Sequence, residues 1–112
     1  MYGIAYNNCM KKILYYKTSD GKCPYLDWYN SLDKGIKQRI DRRIDRLEEG
    51  NYGDFKLISP DLYELRCKFG SGYRIYFAEQ DNVIILILCA GDKSSQRKDI
   101  EKAKSIINEI KE

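Results

Sequence analysis

The 112-residue sequence predicts an α+β domain. Three segments between residues 63 and 89 either alternate apolar with polar side chains or are apolar throughout, which is typical of consecutive strands. Two segments before them and one after them repeat apolar residues at the spacing of amphipathic helices. This order favours a mostly antiparallel sheet of about four strands, with two N-terminal helices and one C-terminal helix.

The first two strands form the clearest hairpin in the sequence. Apolar and charged residues alternate over 63–69, and the alternation resumes over 73–78 after a Gly-Ser-Gly turn at 70–72. The third strand, residues 83–89, is apolar throughout, which predicts a central strand that is buried on both faces. A weaker strand signal at residues 55–58 suggests an additional edge strand.

The register of this hairpin decides which polar side chains share a surface. A one-residue slip would place the polar side of one strand beside the apolar side of the other. With the apolar sides aligned, one face carries Arg66, Lys68, Arg74 and Tyr76. Cross-strand neighbours lie about 5 Å apart at Cβ, so we expect an anion among these cations. Lys93 follows the central strand and can fold over the same face.

The two N-terminal helices are marked by apolar stripes and by signals at their ends. The first begins near Pro24, which suits the first turn of a helix. The second repeats isoleucine and leucine between residues 36 and 47, and Gly50 ends it. Its other face carries the cations Lys37, Arg39, Arg42, Arg43 and Arg46 among several acids. This face is either solvated or a docking surface for a polyanion or an acidic partner.

The two ends of the chain give different signals. Residues 1–12 read as a loose extension with Met10 as an alternative start, and residues 13–112 read as a single domain that opens with a strand-like segment. Residues 95–112 place four isoleucines and an alanine on one side, which predicts an amphipathic helix. This helix either covers the sheet or is available to a partner.

Composition excludes several kinds of site. The sequence has no histidine, so serine–histidine, cysteine–histidine and paired-histidine catalysis are excluded. The four cysteines lack Cys-x-x-Cys spacing, which predicts small buried side chains and neither a metal nor a cofactor site. The net charge of +3 is too small to indicate nucleic-acid binding by itself. No apolar run is long enough to cross a membrane and no secretory leader is evident, so we expect a cytoplasmic protein.

Five short motifs follow one another along the chain: Pro24-Tyr25-x-x-Trp28, Glu49-Gly50-Asn51-x-Gly53-Asp54, Glu64-Leu65-Arg66, Gly72-Tyr73-Arg74-x-Tyr76-Phe77 and Gly91-Asp92-Lys93-Ser94-Ser95-Gln96. Together they resemble the RelE/ParE toxin superfamily and, within it, the HigB-like "addiction module killer" group. The resemblance covers nearly everything from residue 13 onward, and the motifs are specific in combination. It implies a small RelE-like fold in which the two N-terminal helices pack on one side of the sheet.

The same resemblance implies the toxin of a type II toxin–antitoxin system. Its partner would be a cognate antitoxin, commonly a helix-turn-helix DNA-binding protein in the HigB-like group. Members of the RelE branch cut mRNA in the ribosomal A site, which predicts a metal-independent, ribosome-dependent endoribonuclease whose partners are the ribosome and mRNA. Members of the ParE branch inhibit DNA gyrase instead. A gyrase inhibitor and an inactive, antitoxin-binding remnant are the alternatives.

Residue roles are carried over from the resemblance. Arg66 matches the strand arginine that contacts the scissile phosphate, Lys93 matches the basic residue after the last strand, and Lys56 lies where the RelE branch has lysines in general-base or charge-stabilising roles. The residues expected to bind RNA or its phosphates are Arg74, Lys68, Tyr76 and Gln96. The sequence has no equivalent of the C-terminal tyrosine of RelE, for which Gln96 or Asp99 is the candidate substitute, and this departure keeps the inactive remnant open. Independently of the resemblance, Arg66 and Arg74 could instead form ion pairs with Glu64, Glu79 or the last helix.

Overall fold

The computed structural model describes residues 10–111 and is built around one mixed five-stranded sheet. The strands are β1 (Lys12–Tyr15), β2 (Phe55–Ser59), β3 (Leu62–Cys67), β4 (Tyr73–Gln80) and β5 (Ile84–Asp92). Their order across the sheet is β1-β5-β4-β3-β2. The pairs β2–β3, β3–β4 and β4–β5 are antiparallel, whereas β1 pairs in parallel with β5.

The sheet has more strands than the four that the sequence predicted. The difference arises at the two edges of the sheet, where the strands are short. β1 has four residues and β2 has five. Strands this short carry too little periodicity to be assigned with certainty. The parallel pairing of β1 also depends on a partner more than sixty residues further along the chain, because Lys12 lies opposite Ile84.

Three helices complete the fold. They are α1 (Pro24–Asn30), α2 (Lys34–Glu48) and α3 (Gln96–Lys111), and a short 3-10 turn (Lys93–Ser95) leads into α3. Pro24 occupies the first turn of α1, as predicted. Asp33 caps α2 by accepting a hydrogen bond from the backbone nitrogen of Ile36 at 2.9 Å. No helix among the described residues is both long and apolar enough to cross a membrane.

The helices lie on opposite faces of the sheet. α1 and α2 cover one face, where Ile40, Ile44 and Leu47 of α2 pack against buried strand residues such as Leu65 and Phe77. α3 covers the other face, as shown by its three buried residues Ala103, Ile106 and Ile107. The structure thus confirms that both N-terminal helices share one side of the sheet. It also decides the role of the last helix, which covers the sheet.

Arg43 joins α2 to the end of the sheet. Its Nη1 donates to the carbonyl of Tyr52 at 3.1 Å, and its Nη2 donates to the carbonyls of Asp54 at 3.2 Å and Arg66 at 3.1 Å. Tyr52 and Asp54 lie where the chain leaves α2 and enters β2, and Arg66 lies near the end of β3, so one side chain ties these three segments together. Arg43 is therefore a structural arginine of this fold.

The N-terminus and the cysteines were also subjects of sequence predictions. Residues 1–9 of the expected extension lie outside the described residues, whereas the backbone nitrogen of Lys11 already donates to the carbonyl of Glu48 at 2.6 Å. Three of the four cysteines, Cys23, Cys67 and Cys89, are buried and free, as predicted, and Cys9 lies outside the described residues. Burial raises the pKa of the Cys89 thiol to about 12.

Candidate functional site

The hairpin register on which the predicted site depends is confirmed. Arg66 lies opposite Arg74 and Glu64 lies opposite Tyr76 across β3 and β4. Directly opposed residues in antiparallel strands project to the same face. This face is the one that α3 covers, because Tyr76 packs with the buried residues of that helix.

A buried carboxylate lies at the centre of this face. Glu64 has no exposed surface. It accepts hydrogen bonds from Nε of Arg66 at 3.1 Å, the hydroxyl of Tyr76 at 3.0 Å and Nε2 of Gln96 at 2.8 Å. Nε of Arg74 lies 3.8 Å from the same carboxylate. We call Glu64, Arg66, Arg74, Tyr76 and Gln96 the Glu64 cluster.

The hydrogen bonds fix the charge state of this cluster. Burial alone would raise the pKa of Glu64, but the hydrogen bonds from Gln96, Arg66 and Tyr76 outweigh burial and hold that pKa below its ordinary value. Burial raises the pKa of Tyr76, and the nearby charge of Glu64 raises it further. At neutral pH, Glu64 is therefore a carboxylate that accepts from a neutral phenol.

The two arginines are held differently. Arg66 uses Nε to bind Glu64, and 34% of its side chain is exposed. Arg74 is 17% exposed and donates from Nη1 to the carbonyl of Gly72 at 3.0 Å. The Nε of Arg74 is buried and has no hydrogen-bond partner among the described residues, since 3.8 Å to Glu64 is too long for one. Arg66 is thus fixed by a hydrogen bond to Glu64, whereas Arg74 is fixed by its hydrogen bond to Gly72 and interacts with Glu64 through charge attraction only.

The three predicted lysines lie at different places around the cluster. Lys93 is exposed in the 3-10 turn, and a Cβ built on Gly72 would lie 3.8 Å from Cβ of Lys93 and 3.7 Å from Nη1 of Arg74. Lys93 and Arg74 therefore flank the same glycine. Lys56 is exposed on β2 directly opposite Glu64, so it projects to the same face. Lys68 is 80% exposed and pairs with Asp54 at 3.4 Å, away from Glu64.

Two acids fix the turn that carries Lys93. Asp92 accepts a hydrogen bond from the backbone nitrogen of Ser94 at 2.9 Å and so caps the turn. Asp99 of α3 accepts from the hydroxyl of Ser95 at 2.5 Å, and burial raises the pKa of Asp99. The turn is consequently held both at its start and from the helix that follows it.

The absence of a side chain at Gly91 allows this turn to close. A Cβ at Gly91 would lie 2.5 Å from Oγ of Ser95 and would overlap the carboxylate of Asp99. Gly91→Ala is therefore expected to push Asp99 off Ser95 and to lower the free energy of unfolding by about 1–3 kcal/mol, as overpacking does. Denaturant unfolding of the purified protein measures this loss.

Two further variants identify the cause of that loss. In the Asp99→Ala background, Gly91→Ala should cost at least about 0.5 kcal/mol less, because one clash is gone. Gly35→Ala in α2 is the matched control, since its added Cβ meets no atom closer than 3.6 Å. Equal costs for Gly91→Ala in the wild-type and Asp99→Ala backgrounds would show that Asp99 is not what the new methyl group meets.

The structure changes how some predicted residues act and adds Glu64, which the sequence analysis did not assign to the site. Tyr76 was expected to bind RNA, but it has no exposed surface, so its place is to hold Glu64. Gln96 is half-buried and donates to the same carboxylate. Glu64 was not among the predicted site residues, and Asp99 was named only as a candidate substitute for the missing tyrosine. The alternative ion pair between Arg66 and Glu64 is present, and its acidic partner is fully buried.

The family match described next covers the whole of this site. A family model described as "Phage derived protein Gp49-like (DUF891)" matches residues 27–111. A protein of Haemophilus influenzae, itself described as uncharacterized, is 46% identical to this chain over 84 residues. That match covers 74% of this chain and 85% of the Haemophilus protein.

Proposed function

The chain belongs to the phage-derived Gp49-like family, a family of RelE-like addiction-module toxins, and we propose that it is the toxin of a type II toxin–antitoxin pair. We assign it to the HigB-like group and to the metal-independent cleavage of ribosome-bound mRNA in the cytoplasm. Its partners in this proposal are the ribosome, mRNA and a helix-turn-helix antitoxin. The observation that supports this reaction best is the pair of arginines arranged around buried Glu64.

The proposed reaction needs little from the protein beyond position and charge. When the 2′-hydroxyl of RNA attacks the neighbouring phosphate, negative charge develops on the phosphorane oxygens. Guanidinium groups match these oxygens in shape and charge, and they act best when the protein holds them in place beforehand. Glu64 anchors Arg66 through Nε, which leaves both Nη groups of Arg66 for the scissile phosphate.

The neighbouring cations complete the proposed site. Lys93 lies beside Arg74 at Gly72, where it would contact a second phosphate oxygen or protonate the leaving oxygen. Lys56 lies opposite Glu64 and would stabilise charge or assist removal of the 2′-hydroxyl proton. Lys68 would contact RNA outside the cluster, since it is exposed at the end of β3. Tyr76 and Gln96 would act through Glu64 by keeping its carboxylate in place.

Induced expression in bacterial cells tests the proposed function. The wild-type chain should stop growth and produce new mRNA 5′ ends inside translated reading frames. Arg66→Ala/Lys93→Ala should produce neither effect, because it removes two of the proposed phosphate contacts. Lys17→Ala/Lys22→Ala removes two exposed cations from the loop before α1 and should behave like the wild type.

Two other outcomes would replace this proposal with the alternatives. Growth arrest without new mRNA ends would favour a gyrase inhibitor, and supercoiling assays would then identify the target. Normal growth with a folded, soluble wild-type protein would favour an inactive remnant that only binds its antitoxin.

A further inference from the structure

α2 carries its opposite charges on different sides. Its acids, Asp41, Asp45 and Glu48, lie toward β1 and α1. Asp41 accepts a hydrogen bond from the hydroxyl of Tyr29 at 2.9 Å. Burial raises the pKa of Tyr15, and these three acids raise it further. The arginines of α2 lie on another side of the helix, away from this acidic row.

The arginines face a cleft of about 370 Å³ between α2 and the end of β3. We call it the α2 cleft, and its cationic lining is Arg39, Arg42, Arg43, Arg46, Arg66 and Lys68. Among the described residues that line the cleft, Asp54 is the one acid, and it already pairs with Lys68 at 3.4 Å. Cations gathered in a cleft with so little compensating charge attract a polyanion.

The cleft arginines are not equally available to a ligand. Arg43 is committed to three backbone carbonyls. Arg39 lies over the ring of Phe69, with 4.4 Å between the guanidinium carbon and the ring centroid. Arg42 and Arg46 are exposed, and within residues 10–111 neither one forms an ion pair or a side-chain hydrogen bond. Among the α2 arginines that line the cleft, Arg42 and Arg46 are therefore the two whose guanidinium groups have no partner within residues 10–111.

The α2 cleft is continuous with the Glu64 cluster through Arg66. β2 pairs with β3 as far as Leu65, and the backbone nitrogen of Arg66 donates to the carbonyl of Asp54 at 2.9 Å, so this edge of the sheet ends at Arg66. Arg66 lines the α2 cleft and also bonds Glu64 on the face that α3 covers. A chain-like ligand bound at Arg66 can therefore pass around this edge into the cleft.

From this arrangement we propose that the α2 cleft binds the phosphate backbone of single-stranded RNA, on the strand whose scissile phosphate lies at Arg66. The inference deepens the proposed function and rests on it. Arg42 and Arg46 pair with flanking phosphates, and the flat Arg39–Phe69 stack offers a surface for a base. An acidic protein segment would use the arginines but not this flat surface, which is why RNA is the favoured occupant.

Binding of a short, fluorescently labelled 2′-O-methyl RNA strand tests the inference without cleavage, because this RNA has no free 2′-hydroxyl. The two variants compared with the wild type are Arg42→Gln/Arg46→Gln and, as the control, Lys102→Gln/Lys104→Gln on α3. Both change the net charge equally at exposed helix positions. Fluorescence anisotropy over a salt series gives the affinity and its salt dependence, and thermal unfolding confirms that each variant is folded.

The arginine variant should bind on the order of tenfold more weakly at low salt. Its slope of log affinity against log salt should be shallower by about 1.4, since each lost contact to a single strand removes about 0.7. The lysine variant should match the wild type in both respects. Equal slopes for all three proteins would overturn the inference.

Competition with polyglutamate gives the other decisive result. In one outcome, polyglutamate displaces the labelled RNA more effectively than polyuridylic acid does, and Arg42→Gln/Arg46→Gln weakens the binding of polyglutamate but not that of RNA. That outcome would assign the cleft to an acidic protein partner. The assay contains no ribosomes and measures no cleavage. Altered RNA binding in the arginine variant therefore supports RNA binding by the α2 cleft even if wild-type expression yields no cut mRNA. If mRNA is cut but the arginine variant binds RNA like the wild type, the role of the cleft is rejected and the proposed cleavage function is not.

Discussion

Arg66→Ala is expected to lower the rate of mRNA cleavage by about 10²–10³-fold, which is the usual effect of removing one preorganised donor from a charge-stabilising site. Arg66 lines the α2 cleft and also donates directly to Glu64, and no other residue in the described range 10–111 does both. Its loss therefore removes both a proposed phosphate contact and the link between the two surfaces. The rate is measured by following transcript 5′ ends after induction at matched protein levels.

The fold should survive this change. Arg66 is 34% exposed, and Glu64 keeps its hydrogen bonds from Tyr76 and Gln96 when Arg66 is removed. The expected loss in the free energy of unfolding is about 1.5–3 kcal/mol, the usual value of a hydrogen bond to a charged group.

Arg66→Lys separates charge from shape, because lysine keeps the charge but lacks the planar fork and the Nε donor. It should recover only part of the activity. Lys34→Ala, which removes an exposed cation at the start of α2, is the control and should cut at the wild-type rate. Undiminished cleavage by a folded Arg66→Ala protein would remove Arg66 from the proposed site.

The central hairpin could be predicted from the sequence because its signals are local. The alternation in β3 and β4 and the Gly70-Ser71-Gly72 turn together define one register, which is the register observed. The edges of the sheet could not be predicted so well. β1 lies beside β5 only because the chain returns to it after α1, α2 and three strands, and no local pattern specifies that contact.

The same distinction applies to the candidate site. Alternation places Arg66, Arg74 and Tyr76 on one face, and this part was predictable. It also makes Glu64 polar-facing, which normally means exposed to solvent. Glu64 is buried because α3 folds over that face and brings Gln96 to within 2.8 Å of it. The roles of Glu64 and Asp99 therefore depend on how α3 packs against the sheet. The alternation of strand residues does not predict that packing.

Removing the buried carboxylate should have the largest effect on stability. Glu64→Ala leaves the Tyr76 hydroxyl and the Gln96 amide without an acceptor, and it leaves Arg74 without its counter-charge. Breaking a buried ion pair from one side costs about 3–5 kcal/mol, because the remaining charge stays buried and unpaired. We expect Glu64→Ala to lower the free energy of unfolding by that amount in denaturant titrations at neutral pH.

Glu64→Gln keeps the shape of the side chain and tests the charge alone. An amide offers one acceptor oxygen, whereas the carboxylate accepts three hydrogen bonds. The variant should therefore fold but hold Arg66 loosely, and its cleavage rate should fall toward that of Arg66→Ala. A folded Glu64→Gln protein with wild-type activity would show that Glu64 has a structural role only.

The pH dependence of unfolding distinguishes the effect of the Glu64 charge from the effect of the side chain's shape. Because the folded-state pKa of Glu64 is lowered, its charge stabilises the fold fully at pH values above its unfolded pKa, which is about 4.3. This stabilisation is lost as the pH falls through the lower folded-state value. The pKa values of Glu79, Asp61 and Asp92 are also lowered, so the wild type and Glu64→Gln should both lose stability in acid.

The informative quantity is consequently the difference in stability between the wild type and Glu64→Gln. That difference should be constant from neutral pH down to about pH 5 and should shrink below about pH 4. A difference that stays constant through the acid range would mean that Glu64 is not charged in the folded protein. The buried carboxylate could then not be the group that holds Arg66 and Arg74 in place by charge.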